Sequence, residues 1–404
     1  MSWGEDAAAC VKCGSCLSVC PIYLETGQEA LVARGKLALL SAKFDDLLSA
    51  DPELFELLSN CLLCGACTES CAGGVKADEL IQQGRSLLID KVGAAKWKQI
   101  LAREIMPFSG RVKLLRAGQN LLFKKIPRER GLRLRFSSDR RIWPELIHPF
   151  FQDRKDLPTF SASSPAPRIG FFVGCTTNYL YPEVGEATVK LLSPKGNLLI
   201  PKDQTCCGLP AFALGELKTA RDLARNNVLA FSQTPLDSIV VSCSSCATHL
   251  KTAYGELLKD EPDLQPTVNA FLQKVEELSR VLKKEDIPST SSLSGPSQIV
   301  AFHDPCHAKR KLKITKEPRE LLKSLPGRSL VELKEKRCCG HGGLFSLSHP
   351  ELSQKILDHP LSDLDHSGAE VLTTSCMACL MQLKLGVQRT GRNVQVKHWA
   401  ELMV

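Results

Sequence analysis

The stretch Cys10-Val-Lys-Cys13-Gly-Ser-Cys16-Leu-Ser-Val-Cys20-Pro21 spaces four thiols by two, two and three residues. The spacing recurs as Cys61-Leu-Leu-Cys64-Gly-Ala-Cys67-Thr-Glu-Ser-Cys71, with Ala72 where the first run has Pro21. Three thiolates at i, i+3 and i+6 in a tight loop each reach a different iron of one [4Fe–4S] cubane, and the fourth is led away to a second cluster. Gly14 and Gly65, directly after the second cysteine of each run, let the backbone turn closely around inorganic sulfide. The expected ligand sets are therefore Cys10, Cys13, Cys16 and Cys71 for one cubane, and Cys61, Cys64, Cys67 and Cys20 for the other. Zinc prefers two well-separated Cys-x2-Cys hooks, which these runs are not.

Between and behind the runs the apolar residues recur at helical spacing, over about Ala30–Leu58 and Ala77–Asp90. Residues 1–92 thus resemble an α-helical ferredoxin-like domain with two clusters, not the small β-rich ferredoxin.

Ten further cysteines form a second repeated pattern. Cys175, Cys206-Cys207-Gly208 and Cys243-x2-Cys246 are echoed by Cys306, Cys338-Cys339-Gly340 and Cys376-x2-Cys379, at offsets of 131 to 133 residues. This accounts for all 18 cysteines and marks the C-terminal half as a duplication. Apolar runs that read as strands lead into the first cysteine of each copy (Ile169–Val173 and Ile299–Phe302). Others precede the final pair (Ser238–Val241 and Ala369–Leu372), and a helix lies between (about Gly215–Ser232 and Pro350–Asp365). Ser348-x-x-Glu351 reads as a capping box opening the second helix. Alternating strands and helices predict α/β units with parallel sheets, whose ligands sit beyond the strands' carboxyl ends. Overall the fold class is α+β: a helical two-cluster domain followed by duplicated α/β domains.

Five thiols per copy, two of them vicinal, should converge on one site and suit a multi-iron cluster with a bridging thiolate; zinc or a vicinal disulfide is the alternative. The copies differ around their cysteines. The second carries His303, Asp304, His307 and His341 where the first has Phe172, Val173, Thr176 and Leu209. His303, His307 and His341 are the candidate proton donors, against an ordinary role as core or capping histidines.

These ten-cysteine motifs are those of the cysteine-rich CCG domain of heterodisulfide reductase. With two ferredoxin runs in front, the chain resembles the iron–sulfur subunits of glycolate oxidase and respiratory D-lactate dehydrogenase. Cys338-Cys-Gly-His-Gly-Gly-Leu-Phe-Ser-Leu-Ser-His-Pro350 and Val396-Lys-His-Trp399 are especially similar to the glycolate oxidase subunit. The resemblance implies an electron-transfer subunit beside an FAD-containing dehydrogenase chain that oxidises a 2-hydroxy acid, with a quinone or other acceptor downstream. It also implies noncubane [4Fe–4S] clusters at the five-cysteine sites. The other function it implies is disulfide–dithiol chemistry at the CCG sites, as in heterodisulfide reductase.

The remaining sequence bounds the reading. A composition of 43% hydrophobic and 24% charged residues is that of a globular protein, and no apolar run approaches the ~20 residues of a membrane span. Met1–Cys10 lacks a basic segment followed by an apolar one, so the expected location is the cytoplasm, with the inner membrane face as a peripheral station. No G-x-G-x-x-G or P-loop motif occurs, so neither NAD nor ATP is expected. The net charge of +8 is concentrated between residues 96 and 141, including Arg111, Lys113, Arg116, Lys124, Lys125, Arg128, Arg130, Arg133 and Arg135. That region reads as a solvated helix face or a docking surface for an acidic partner or anionic lipid, and not for nucleic acid, since stacking aromatics are few. Its Val112, Leu114, Leu115, Leu121 and Leu122 are expected to pack into a core, with a short amphipathic helix lying at a membrane face as the alternative. The expected layout is 1–92 two-cluster domain, 93–167 basic connection and linker, 168–285 first CCG domain and 298–404 second. Pro/Ser-rich segments at 157–167 and 288–295 separate the parts.

Overall fold

The computed structural model describes residues 3–105, 107, 109–126, 131–135, 141–161, 163–282, 298–335 and 337–404. The Ser-rich separator 288–295, the expected domain end at 285, and Arg128 and Arg130 lie outside the described residues.

The N-terminal region is helical, built on α1 (Ala33–Phe44), α2 (Pro52–Ser59) and α3 (Ala77–Val92). The helical run expected over 30–58 is broken after Phe44, where Asp46 adopts φ +55° and ends α1. Asp51 then restarts it: its carboxylate accepts the Leu54 amide at 2.8 Å, and Pro52 occupies the first helical position. Leu40 of α1, Leu54, Phe55 and Leu58 of α2 and Leu88 and Ile89 of α3 bury a shared core. Close approach is possible because position 84 of α3 is glycine, where a Cβ would stand 2.7 Å from Leu40 Cδ2.

Residues 93–167 hold more structure than a connection. Helix α4 (Ser109–Leu122) runs into an antiparallel sheet of β1 (Phe123–Ile126), β2 (Gly131–Leu134) and β3 (Trp143–Pro144). The core packing expected for the leucines of α4 is not observed. Val112 is buried, but Leu114 and Leu121 are each 75% exposed and Leu115 and Leu122 are exposed as well. Leu114 and Leu121 fall on the helix face opposite Val112, which packs against Phe150 and Tyr179, and Leu115 and Leu122 lie along its flank.

The C-terminal half comprises two α/β units of identical topology. In the first, β4 (Arg168–Phe172), β5 (Asn197–Leu199), β6 (Ser238–Val241) and β7 (Val275–Glu277) form a parallel sheet in the order β5-β4-β6-β7. In the second, β8 (Gln298–His303), β9 (Arg328–Glu332), β10 (Val371–Thr374) and β11 (Gln395–His398) repeat it as β9-β8-β10-β11. Both faces of the central strands are buried, as parallel sheets require. Helix α5 (Leu217–Ser232) crosses between the second and third strands of the first unit, and α6 (Ser244–Leu257) follows β6. The second unit has α7 (Pro350–Ser367) and α8 (Met377–Thr390) at the matching places. Strand β10 starts two residues later than the sequence suggested.

The capping box expected at Ser348 does not form. A short helix, Phe345–Ser348, absorbs Ser348, whose hydroxyl donates back to Leu344 O at 2.8 Å, so His349 becomes the N-cap of α7 with no side-chain cap bond.

The two units meet through the segments that follow β6 and β10. Ser244 donates to Ser375 O from its amide (3.0 Å) and its hydroxyl (2.7 Å), and His398 Nε2 lies 2.9 Å from Ser242 O. The N-terminal region closes over both units. Arg85 of α3, fully buried, donates to Leu58 O, Cys61 O and, at 2.7 Å, to Ala213 O of the first unit. Lys311 and Arg310 of the second unit pair with Asp78 (2.8 Å) and Glu69 (3.1 Å).

Filling the α1–α3 contact should loosen the lid. Gly84→Val is expected to lower stability by about 1–3 kcal/mol, read as a lower denaturation midpoint under anaerobic conditions. An unchanged midpoint would contradict the close packing of α3 on Leu40.

Candidate metal centre

Each cysteine run curls by the same backbone device. Lys12 and Gly14 in the first loop, and Leu63 and Gly65 in the second, adopt positive φ (+56°, +87°, +50° and +72°). Left-handed conformations at Lys12 and Leu63, residues with side chains, are strained and persist only where the surroundings demand them. The curl turns the thiols inward around two hollows. One is lined by Cys10, Cys13, Cys16 and Cys71. The other is lined by Cys20, Cys61, Cys64 and Cys67, and Cys67 also borders the first. The fourth cysteine of each run is thus placed beside the first three of the other.

The outer hollow reaches the surface, where Cys13 is exposed. In the inner one Cys64 is buried and Cys20, Cys61 and Cys67 are half-buried. Burial pushes the Cys64 and Cys67 thiols up, with neighbouring thiolates adding to the effect. Lys36 of α1 borders it, 1% exposed, its Nζ donating to Leu31 O. Burial lowers the Lys36 pKa to about 8 against the opposing pull of the Cys61 and Cys20 thiolates. Sequence reasoning missed Lys36 and Arg85, because a cation at one helical position carries no local sign of burial.

The ten remaining thiols gather where the sheet order reverses, between the first and third strands of each unit. Cys175 and Cys306 follow β4 and β8, and the final pairs open α6 and α8 after β6 and β10. In the first copy Cys175 Sγ and Cys206 Sγ are 3.8 Å apart, and Cys206, Cys207, Cys246 and Cys243 continue in thiol-to-thiol contact. In the second copy Cys339 Sγ and Cys379 Sγ are 3.2 Å apart, and Cys306, Cys338 and Cys376 adjoin them. The copies are joined as well: Cys243 of the first hydrogen-bonds Cys376 of the second, whose Sγ is 3.0 Å from Ser245 Oγ. Cys64 of the inner hollow lies near enough to the second copy's thiols that charge on Cys338 raises the pKa of Cys64 and charge on Cys64 raises that of Cys306. The thiols therefore run without interruption from exposed Cys13 to Cys175.

All 18 are free, and none pairs as a disulfide. Hydrogen bonding to neighbouring thiols, with burial adding to it, holds Cys175 and Cys379 toward the protonated form, so an apolar pocket this rich in sulfur is stable as thiolate only around cations. The soft donor set suits iron or zinc, and donor number and enclosure fit a multi-iron group at each site.

The three candidate histidines are separated. His303 is buried at the end of β8, and its ring nitrogen and the sulfurs of Cys339 and Cys379 lie within 4.8 Å of one another. His341 is buried against Ser346 (3.3 Å) and Gln382 (3.5 Å). His307 bridges Ser245 Oγ (3.1 Å) and Leu63 O (3.3 Å), linking the inner loop to the first copy's cysteine pair. The serines of the junction, Ser242 and Ser375, were also overlooked, although each immediately precedes the final pair of its copy.

Family models place these features. Residues 6–75 match the 4Fe-4S dicluster domain, and residues 169–251 and 300–384 each match the cysteine-rich CCG domain. The chain is 31% identical to the probable glycolate oxidase iron-sulfur subunit of Bacillus subtilis, over 98% of this chain and 93% of that one. It is 26% identical to the glycolate oxidase iron-sulfur subunit of Escherichia coli with the same coverage. Lactate utilization protein A of Shouchella clausii is 32% identical over 58% of this chain and 98% of its own. Among solved structures, a hypothetical protein from Helicobacter pylori shares the fold, with a TM-score of 0.54 at 11% identity, covering 92% of this chain and 67% of that one. With its helical dicluster region, its paired CCG units and full-length similarity at this level, the chain belongs to the family of glycolate oxidase iron–sulfur subunits.

Proposed function

We propose that this chain is the electron-transferring subunit of an oxidoreductase in which a separate FAD-containing chain oxidises a 2-hydroxy acid, glycolate or lactate, and a quinone accepts the electrons. The single observation that carries the reading is the unbroken row of thiols from Cys13 at the surface to Cys175 in the interior. Iron–sulfur groups, when bound, supply one-electron storage over a wide range of potentials set by charge, hydrogen bonding and exposure. Cys10, Cys13, Cys16 and Cys71 would hold the outer cubane and Cys20, Cys61, Cys64 and Cys67 the inner one. The five thiols of each CCG unit would hold a further cluster.

The polypeptide's own contribution is to separate these sites from water and to fix the charges around them. The outer loop leaves Cys13 and Val11 exposed, which suits an electron partner docking there. The inner site is covered by the α/β units and bordered by buried Lys36 at its wall, buried Arg85 on Cys61 O and half-buried Arg310 on Cys64 O (3.3 Å), with the Asp78 carboxylate in the same lining. A fixed positive charge in a low-dielectric wall favours the more negative, reduced state of a cluster. Lys36 would therefore raise the potential of a cluster held in the inner hollow.

The exposed leucines of α4 stand beside Arg111, Lys113, Lys124 and Lys125. No helix among the described residues is long and apolar enough to cross a membrane. An aliphatic ridge flanked by cations fits the headgroup boundary of an anionic bilayer, where a quinone would be reached. This reading places the chain peripherally on the inner membrane face.

Three outcomes test the account. Anaerobic mixing of the chain with its flavoprotein and glycolate or D-lactate should bleach the visible absorption of the chain, and omission of either should not. Turnover of a small mixed disulfide with no oxidation of either acid would favour thiol chemistry instead. In redox titration followed by electron paramagnetic resonance, Lys36→Met should lower one cubane midpoint by roughly tens of millivolts and leave the other in place, while Lys36→Arg restores it; two unmoved midpoints would remove Lys36 from this role. Replacing Leu114 and Leu121 together by Asp should abolish sedimentation with vesicles containing anionic lipid without altering the cluster spectrum. Unchanged sedimentation, or none by the parent chain, would exclude membrane docking through α4.

A further inference from the structure

The two CCG units share topology and thiol pattern, yet one position at the heart of the site differs in kind. The last residue of the first strand is Phe172 in β4 and His303 in β8. Phe172 belongs to the apolar core with Cys206 and Cys207 and stacks on Phe231 at 5.9 Å between ring centroids. His303 occupies the matching place as a buried imidazole, and its ring makes no hydrogen bond among the described residues. Burying such a ring with no partner costs free energy, so a buried histidine ordinarily has one.

The donors nearest to it are thiols. The nitrogen and the sulfurs of Cys339 and Cys379 form a buried trio within 4.8 Å, and Cys338 and Cys376 are close enough to interact electrostatically with the ring. The strand end is held firmly on either side. Thr374 pairs with His303 in register, and Arg319 clamps the adjacent Asp304 with two bonds of 2.7 and 2.8 Å. Arg319 also sits over the ring of Phe302, 4.9 Å from its centroid. Imidazole nitrogen is an ordinary ligand for iron and zinc, and a rigid backbone placing it among thiols is what a mixed nitrogen–sulfur site requires.

We propose that His303 is a metal ligand, so that the second CCG site binds its metal group through nitrogen and sulfur while the first binds through sulfur alone. The inference rests on the reading of the CCG sites as metal centres. It makes the duplicated units chemically distinct, because a neutral imidazole adds a nitrogen ligand beside the thiolates without adding negative charge. The second site, lying between the inner hollow and the first site, would then differ in potential from its twin.

The test uses the full chain prepared anaerobically, as wild type, as wild type with all histidines labelled with 15N, and as His303→Phe, which copies the first unit. Iron and zinc are counted first. About sixteen irons uphold the iron–sulfur reading of the CCG sites, whereas about eight irons with zinc refute it. With iron present, pulsed electron paramagnetic resonance should show a nitrogen coupling on one cluster signal. That coupling should change with 15N-histidine and vanish in His303→Phe, with at most one cluster lost. With zinc present, X-ray absorption at the zinc edge should show a nitrogen scatterer that His303→Phe removes. A coupling or scatterer that persists in His303→Phe, or sulfur-only shells at every site of the wild type, overturns the proposal. If His303→Phe fails to fold, the labelled wild type decides: no histidine nitrogen at any metal overturns it.

Discussion

A thiolate in an apolar interior needs a positive charge beside it, and this fold is arranged around that constraint. Of the fourteen cysteines that line the inner hollow and the CCG sites, eight are buried and six are half-buried. Without cations the interior would hold them as neutral thiols, and their crowding at 3.2–3.8 Å would bring no electrostatic gain. Filled with iron, the same crowding becomes coordination, and metal binding becomes part of the folding free energy. The strained left-handed residues Lys12 and Leu63, the buried Lys36 and the tight serine junction between the α/β units all make sense as a scaffold completed by its metal.

The duplication explains why the row of thiols is continuous. Each parallel sheet reverses its strand order between the first and third strands, and that crevice gathers the five thiols of its unit. Because the two units join through the segments just after their third strands, the Cys243 end of one crevice meets the Cys376 end of the other. The helical region then covers the second crevice, with His307 reaching Leu63 O. The geometry follows from topology and not from long-range fine tuning.

Much of this was legible in the sequence because the cysteine spacings encode local loops. Loop curvature, the exchange of Cys20 and Cys71 between hollows, and the parallel units all follow from short-range pattern. Legibility failed where the outcome depends on tertiary neighbours. Lys36 and Arg85 read as surface cations on helices, yet α3 and the first unit enclose them. Ser348 resembles a cap, but the preceding short helix claims it. The leucines of α4 read as core, yet nothing among the described residues covers them. Strand β2 alternates Leu132 and Leu134 with Arg133 and Arg135 at period two, a signal that the density of charge obscured, and β1, Phe-Lys-Lys-Ile, carries no such alternation.

Native mass spectrometry of the chain isolated without oxygen tests the central claim most directly. The account predicts a bound mass equal to four clusters of four irons and four sulfides, falling stepwise as the clusters are lost. A chain carrying only two clusters would contradict the role given to the CCG thiols, and a chain with the mass of the bare polypeptide would contradict the account as a whole.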